Sequence, residues 1–520
     1  MKRLSILLTL LLAAFAVNLD TTMVNVALPD LSRQLHVSTE RLQWIVDAYN
    51  LVFAALLLSA GSLSDRLGRR RMLIVGLFVF GTASLIGGAA ANSSELIAVR
   101  AAMGLGSALA FPATLSLILG AFPKREERAA AIGLWGAAAG VAIALGPIVG
   151  GWLLDVFGWP SIFVAIAPMA YVAVLCAFRF LPKARGESGR PLDISGLVTS
   201  TLAMGTLVFT IIEAPSHGWG SSRTVLGFVV AAGLTALFID RERRSGAPMI
   251  DVRIFRRPRF SAASAAVTIS FFTLMGFIFV VTQYFQFIRG YSALGAGVRL
   301  LPFAASVALG SVLGTRLAVR FGTKQVVTAG LLLTTGFYSW TIGTTADLAY
   351  GVIALQMVVG GLGMGLTSAP ATESIMGAIS TKTAGVGSAV NDATRLVGGT
   401  LGVAVIGSVF SSLYRQRVTD SLAGIHLPAA AVAAVRDSVQ GGLSVAQDLA
   451  RHAPAIAAGV QQTTTDAFMS GLHAACAVAA VTALVGAIIA LLALPAHPEQ
   501  TGQDVGRRPS TGQNAGLGTV

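Results

Sequence analysis

Apolar runs of about twenty residues follow one another along almost the whole chain, separated by short basic clusters. Inside a bilayer each backbone amide must be satisfied within its own structure, so runs of this length fold as spanning helices. A barrel would need short strands alternating with a period of two, and these runs do not alternate. Only 12% of the 520 residues are charged and 54% are hydrophobic, whereas an ordinary soluble domain has about 25% charged residues. That imbalance excludes a soluble core and leaves an all-α membrane protein.

Windows of about twenty residues place helices at 4–28, 41–61, 71–91, 95–121, 128–153, 161–181 and 193–213. Seven more fall at 223–240, 260–287, 293–318, 325–344, 348–372, 385–413 and 466–494, giving 14 transmembrane helices with both termini on one side. The opening Met1-Lys2-Arg3 followed by Leu4–Val17 has the outline of a cleaved leader, but the apolar run continues past Asp20 to Leu28, long enough to span.

The distribution of basic residues tests this count, because cytoplasmic loops are enriched in Lys and Arg. With the N-terminus inside, the inner loops hold Arg66, Arg69, Arg70 and Arg71, then Lys124, Arg125 and Arg128, then Lys183, Arg185 and Arg190, then the cluster from Arg241 to Arg259. Roughly 26 basic residues fall inside and about 9 outside, and a miscounted helix would invert every later loop. The net charge of +13 is therefore topological, and no nucleic-acid partner is expected. Residues 414–465 carry Arg436, Asp437, Asp448 and Arg451 within every long window, so they are expected as an external loop. The polar, Gly-rich segment 495–520 is expected to be a disordered cytoplasmic tail.

Weak self-similarity divides the chain. Gly104-Leu105-Gly106 with Pro112-Ala113-Thr114 is echoed by Gly361-Leu362-Gly363 with Pro370-Ala371-Thr372, and Gly61 to Arg70 by Gly314 to Lys324 without the acid. The expected organisation is a six-helix bundle at 1–182, an inserted helix pair with linker at 183–259, and a second six-helix bundle at 260–494.

An ionised side chain at mid-membrane costs about 2.5 to 3.5 kcal/mol on insertion scales, so the few intramembrane charges are the best functional leads. Asp20, Asp47 and Arg100 each fall roughly 8 to 12 Å below the external surface at about 1.5 Å per residue, and could share one layer. Burial that disfavours charge, with an arginine beside carboxylates, is how a site acquires an exchangeable proton. The plainer alternative is an ion pair that locks helices together. Asp392 and Arg395, three apart, read as a local pair on one helix face. Glu213 and Glu373 sit at expected helix ends, where a hydrated carboxylate is inexpensive. Gly136, Gly140, Gly146-Pro147 and Gly150-Gly151 form a small-residue groove for close helix packing. Cys176 and Cys476 lie in apolar runs far apart and suit packing, not a disulfide or metal site. No P-loop, nucleophile elbow or paired helical histidines occur, so neither an enzyme nor a metal or organic cofactor is expected.

These residues resemble the major facilitator superfamily, and within it the fourteen-helix drug:proton antiporter branch. Gly61, Asp65, Arg66, Gly68 and Arg69 match its cytoplasmic loop motif, and Leu96 through Arg100 to Gly104 and Gly106 match its fourth-helix motif. Gly146-Pro147-Ile148-Val149-Gly150-Gly151 is similar to the antiporter motif of the fifth helix, with Ala142 where a glycine is expected. Leu19-Asp20-Thr21-Thr22-Met23-Val24-Asn25-Val26-Ala27-Leu28-Pro29 and Gln43-Trp44-Ile45-Val46-Asp47-Ala48-Tyr49 look like the branch's own signatures. The resemblance implies two rocking six-helix bundles and a monomer in the bacterial cytoplasmic membrane, exporting small, largely apolar or cationic compounds. The proton gradient would be its only energy source. Asp20, Asp47 and Arg100 would line the proton and substrate cavity, and Asp65 with Arg66 the cytoplasmic gate. Exporting one endogenous metabolite is the alternative, and a channel or uncoupled scaffold a more distant one.

Overall fold

The computed structural model describes residues 2–35, 39–182, 193–245, 248–380, 383–422 and 427–495, so the expected tail disorder and most of the linker after residue 182 lie outside the described residues. Seventeen α-helices are present among them: α1 Lys2–Leu35, α2 Thr39–Leu67, α3 Arg69–Gly87, α4 Ser93–Ala121, α5 Arg125–Phe157, α6 Pro160–Phe180, α7 Ile194–His217, α8 Ser222–Arg244 and α9 Pro258–Gln283. They continue with α10 Ala293–Arg299, α11 Leu301–Phe321, α12 Thr323–Thr341, α13 Tyr350–Gly377, α14 Ala384–Leu422, α15 Ala429–Asp437, α16 Val439–Leu449 and α17 Pro454–Ala493.

Among the described residues thirteen candidate spans are long and apolar enough to cross a membrane, one fewer than expected, and the helix that falls short is α12. Its 19 residues cover about 28 Å, close to the thickness of a hydrocarbon layer. Three of its threonines bond back to their own helix: Thr334 Oγ1 donates to the Gly330 carbonyl, Thr335 to Leu331 and Thr341 to Phe337. Val327, Leu331, Phe337 and Tyr338 are buried, and the helix packs against α13 and α17. Position and length make it the fourteenth long helix, while threonines that bond back to their own turn depress its hydropathy.

Helices α1 to α6 enclose one apolar core, in which Leu10, Met23, Leu57, Phe80 and Phe163 are buried. Helices α9, α11 to α14 and α17 enclose the others. Close approach at glycines repeats across the two sets. A Cβ on Gly106 would meet Phe80 N at 2.6 Å and Gly76 O at 2.7 Å, and one on Gly363 would meet Gly330 O at 2.7 Å. The second glycine of each Gly-Leu-Gly thus seats α4 on α3 and α13 on α12, while the first, Gly104 or Gly361, faces α2 or α11, so backbones touch where no side chain intervenes. Gly68 and Gly322, with φ of 100° and 96°, make the corresponding turns before α3 and α12, a conformation that favours glycine.

Helix α7 lies along α2, where Ser59 Oγ donates to the Leu197 carbonyl at 3.1 Å and meets Thr201 Oγ1 at 2.8 Å. Trp219, beyond α7, donates to Ser408 Oγ of α14. The expected loop at 414–465 is largely helical: α14 runs on to Leu422, α17 begins at Pro454, and α15 and α16 fill the space between. Hydropathy reports where a helix leaves the apolar layer, not where it ends.

Gly106→Val forces backbone apart, an overpacking cost of about 1 to 3 kcal/mol. The expected outcome is a lower melting temperature in detergent than wild type, while Gly233→Ala, with no atom within 4 Å of the added carbon, melts like wild type or above it.

Candidate coupling site and inter-bundle contacts

Asp20 on α1 and Arg100 on α4 meet at 2.7 Å between Oδ2 and Nη1, with side-chain exposures of 0% and 1%. Arg100 Nε donates to the Ile45 carbonyl at 3.0 Å, and its guanidinium lies 4.3 Å from the Tyr49 ring centre. Tyr49 Oη in turn pairs with Ser107 Oγ at 2.9 Å. The arginine is thus held by α1, α2 and its own helix, and Oδ1 of Asp20 is the one buried atom of the pair without a hydrogen-bond partner among the described residues. That second oxygen is a buried acceptor position at which a carboxylate can take up a proton, which neutralises the carboxylate and ends the ion pair, leaving at most a hydrogen bond from Arg100 to Oδ2.

Asp47 does not join this pair. Ile45 and Tyr49, four apart, face Arg100, whereas Asp47 is two residues from each and so about 200° around the helix. It is half-buried and faces α7, where Glu213 is its charged neighbour. Equal depth made a shared layer plausible; helix azimuth separates the two carboxylates. Glu213 bonds His217 Nδ1 at 3.3 Å.

The helix-five motif serves α1. A Cβ on Gly146 would strike Thr22 Oγ1, and one on Gly150 would lie 2.7 Å from Met23 Cγ. Pro147 lacks the N–H that would reach the Ile143 carbonyl one turn back, and Thr22 Oγ1 donates to that carbonyl at 2.9 Å. The carbonyl that proline frees is therefore satisfied by α1, two residues beyond Asp20. Gly151 packs against Leu294, and Gly297 of α10 approaches Pro147, so the motif touches both helix sets.

At the basic end of the molecule Asp65 links the two sets. Its Oδ1 accepts from Gly385 N at 2.8 Å and from Arg69 Nη2 at 2.9 Å, and its Oδ2 accepts from Val386 N at 3.1 Å. Those amides belong to the first turn of α14, whose unpaired N–H groups favour an anion. Gly61 makes room, since its Cβ would fall 2.7 Å from Gly385 O. Arg66 is half-buried and coupled electrostatically to Glu242 of α8.

Glu373 is the residue that helix-end reasoning undervalued. It is 2% exposed, and its Oε1 lies 3.5 Å from Arg128 Nη2 and 3.8 Å from Arg125 Nε across the two helix sets. The basic cluster at 124–128 was the available signal: arginines at a helix start attract a partner as well as orient a loop. Asp392 and Arg395 act on each other electrostatically, as the local-pair reading expects, but no ion pair within 4.0 Å joins them. Instead Asn391 Nδ2 donates to Asp392 Oδ1, and Arg395 stacks between Trp135 and Phe271.

With this geometry in view, the Major Facilitator Superfamily model matches residues 10–403. The chain belongs to the Major Facilitator Superfamily. It is 37% identical over 78% of its length to "Multidrug resistance protein Stp" of Mycobacterium tuberculosis (strain CDC 1551 / Oshkosh), covering 76% of that protein. It is 32% identical to "Multidrug efflux pump LfrA" of Mycolicibacterium smegmatis, covering 91% of this chain and 93% of LfrA. With "Tetracenomycin C resistance and export protein" of Streptomyces glaucescens it shares 33% identity over 91% of this chain and 88% of that one. The human organic anion transporter MFSD10 has the same fold, with a TM-score of 0.63 at 14% identity over 94% of this chain and 99% of that one. The family fold makes this a multi-span membrane transporter, with the two helix sets as its repeat-related bundles.

Thr22→Val keeps the shape but leaves the Ile143 carbonyl unpaired, at about 1 to 3 kcal/mol. Thr22→Ser, which retains the hydroxyl, is expected to melt close to wild type and Thr22→Val several degrees lower, read by thermal unfolding of the purified protein.

Proposed function

We propose that the protein is a proton-coupled antiporter that exports small, largely apolar or cationic toxic compounds across a bacterial cytoplasmic membrane, with both termini cytoplasmic and the monomer as the working unit. The observation that carries this reading is the Asp20–Arg100 ion pair, fully buried between α1 and α4, with one carboxylate oxygen unpartnered. Family membership and relatives named for drug resistance and efflux support the direction and the cargo class. The basic end then faces the cytoplasm, in keeping with the excess of Lys and Arg there.

The cycle follows from electrostatics. While the pair is closed, Arg100 holds Asp20 ionised and α1 stays seated on α4 and α5. A proton arriving on Asp20 removes the charge that binds Arg100, freeing α1 to shift with its bundle; loss of that proton to the cytoplasm restores the pair. Inward proton movement supplies about 2.3 kcal/mol per charge per 100 mV, enough to drive uphill export. Closure of the cytoplasmic side is assigned to Asp65 on the α14 N-terminus and to Glu373 between Arg125 and Arg128. Asp47 stands outside the Arg100 pair, and its part in coupling goes through α7.

A second reading, a dedicated exporter of a compound made by the host itself, is favoured by the tetracenomycin relative. Deletion of the gene would then leave that compound inside the cell, with drug susceptibility unchanged.

The test uses the purified chain in liposomes, with ethidium as a fluorescent organic cation. An imposed pH gradient is expected to drive ethidium uphill and collapsing it to stop the flux, while Asp20→Asn loses the gradient-driven part and retains downhill exchange. Flux indifferent to the gradient, or unchanged in Asp20→Asn, would contradict the proposal. The closure follows separately: with Cys176 and Cys476 replaced by serine, a cysteine at the buried Ser388 should react faster with a maleimide in Asp65→Asn and in Glu373→Gln, and fastest in the double variant.

A further inference from the structure

Among the described residues two arginines are buried, and they differ in one respect. Arg100 spends its donors on Asp20 and the Ile45 carbonyl. Arg395 of α14 is 8% exposed, yet none of its nitrogens donates a hydrogen bond to any described residue, and its Nε is wholly buried. What holds it is two aromatic rings and the charge of Asp392 on its own helix: the guanidinium carbon lies 4.6 Å from the ring centre of Trp135 on α5 and 4.5 Å from that of Phe271 on α9. Trp135, 1% exposed, is fixed by its own donation to Thr114 Oγ1 at 3.1 Å and by contact with Phe111. Two aromatic faces position a planar fork whose donor edges meet no protein acceptor, although burying such donors without partners is costly.

One turn away, Asp392 is 2% exposed and its Oδ2 also lacks a partner. Asn391 holds the other oxygen at 3.2 Å and is itself fixed by Thr372. Arg395 lies eleven residues into α14, or about 16 Å along the helix from its first turn, well inside an apolar span. Sites in repeat-built transporters form within the membrane between bundles, and the arginine reaches from one bundle to an aromatic ring of the other.

We infer that Arg395 is the recognition group of a cargo subsite for flat, ring-containing compounds bearing paired oxygen acceptors, a carboxylate or neighbouring carbonyl and phenolic oxygens, with Asp392 accepting from a hydroxyl of the same compound. Trp135 and Phe271 keep the fork in one plane, so two parallel N–H groups can meet two oxygens at once, which lysine cannot reproduce. The subsite deepens the transport reading by naming a second cargo class beside organic cations, which the guanidinium repels. It rests on that reading only for calling the ligand cargo, since binding requires no gradient.

The experiment is equilibrium binding to the full chain in lipid nanodiscs, using two bicyclic probes of matched size: 2-naphthoate and the cation N-methylquinolinium. Wild type should bind 2-naphthoate, and both Arg395→Gln and Arg395→Lys should weaken it about tenfold or more, the loss of a charged bidentate contact. N-methylquinolinium should bind both variants at least as well as wild type. Failure of wild type to bind 2-naphthoate, or unchanged affinity in both variants, would overturn the inference, whatever the gradient experiment shows. Equal loss for both probes would show a structural pin and overturn it too. Should Arg395→Gln unfold, Arg395→Lys, which keeps the charge on the same helix, carries the test alone.

Discussion

A carboxylate removed from water must either find a cation or give up its charge, and the arrangement of α1, α4 and α5 follows from how Asp20 meets that condition. Arg100 reaches it at 2.7 Å, and the arginine is in turn fixed by the Ile45 carbonyl and the Tyr49 ring, so α2 is drawn into the same contact. On the other side of α1, the glycines of α5 remove the side chains that would hold the helix away, and Thr22 closes the carbonyl left open by Pro147. In the proposed cycle, a helix placed by one neutralisable ion pair on one flank and a smooth small-residue face on the other is released when the charge is lost.

The same logic operates with opposite sign at the basic end. Asp65 and Glu373 are acids set among donors and arginines from both bundles, and no proton from the central site reaches them within the contacts described. They hold the bundles together through the amides of α14 and through Arg125 and Arg128. Breaking such contacts requires water to replace them, so opening of this end and entry of water are one event. The buried pair of α1 and α4 and the contacts at the basic end are thus separate, and α14 supplies amides to the second.

Much of this was legible in the residues. Helix positions, the paired Gly-Leu-Gly signatures and the common depth of Asp20 and Arg100 follow from the cost of polar groups in lipid and from the rise per residue, while which carboxylate Arg100 meets does not. Azimuth was not legible for Asp47, because depth fixes a level while the direction a side chain faces depends on which neighbour covers it. Glu373 was discounted as an inexpensive helix-end acid, since nothing in a linear reading reports that two arginines 245 and 248 positions earlier cover it. Helix α12 is placed by apolar windows and supported by the alternation of loop charge, while the length of α14 escapes both, because helices outlast the apolar layer.

The most direct test of the central claim is isotope-edited infrared spectroscopy of the reconstituted chain, following the Asp20 carboxyl stretch as the outer pH is lowered with the inner pH held. The account predicts an ionised carboxylate in the closed pair and a protonated carboxyl signal that appears under the gradient and vanishes in Asp20→Asn. An Asp20 that stays ionised under every gradient, while transport proceeds, would contradict it.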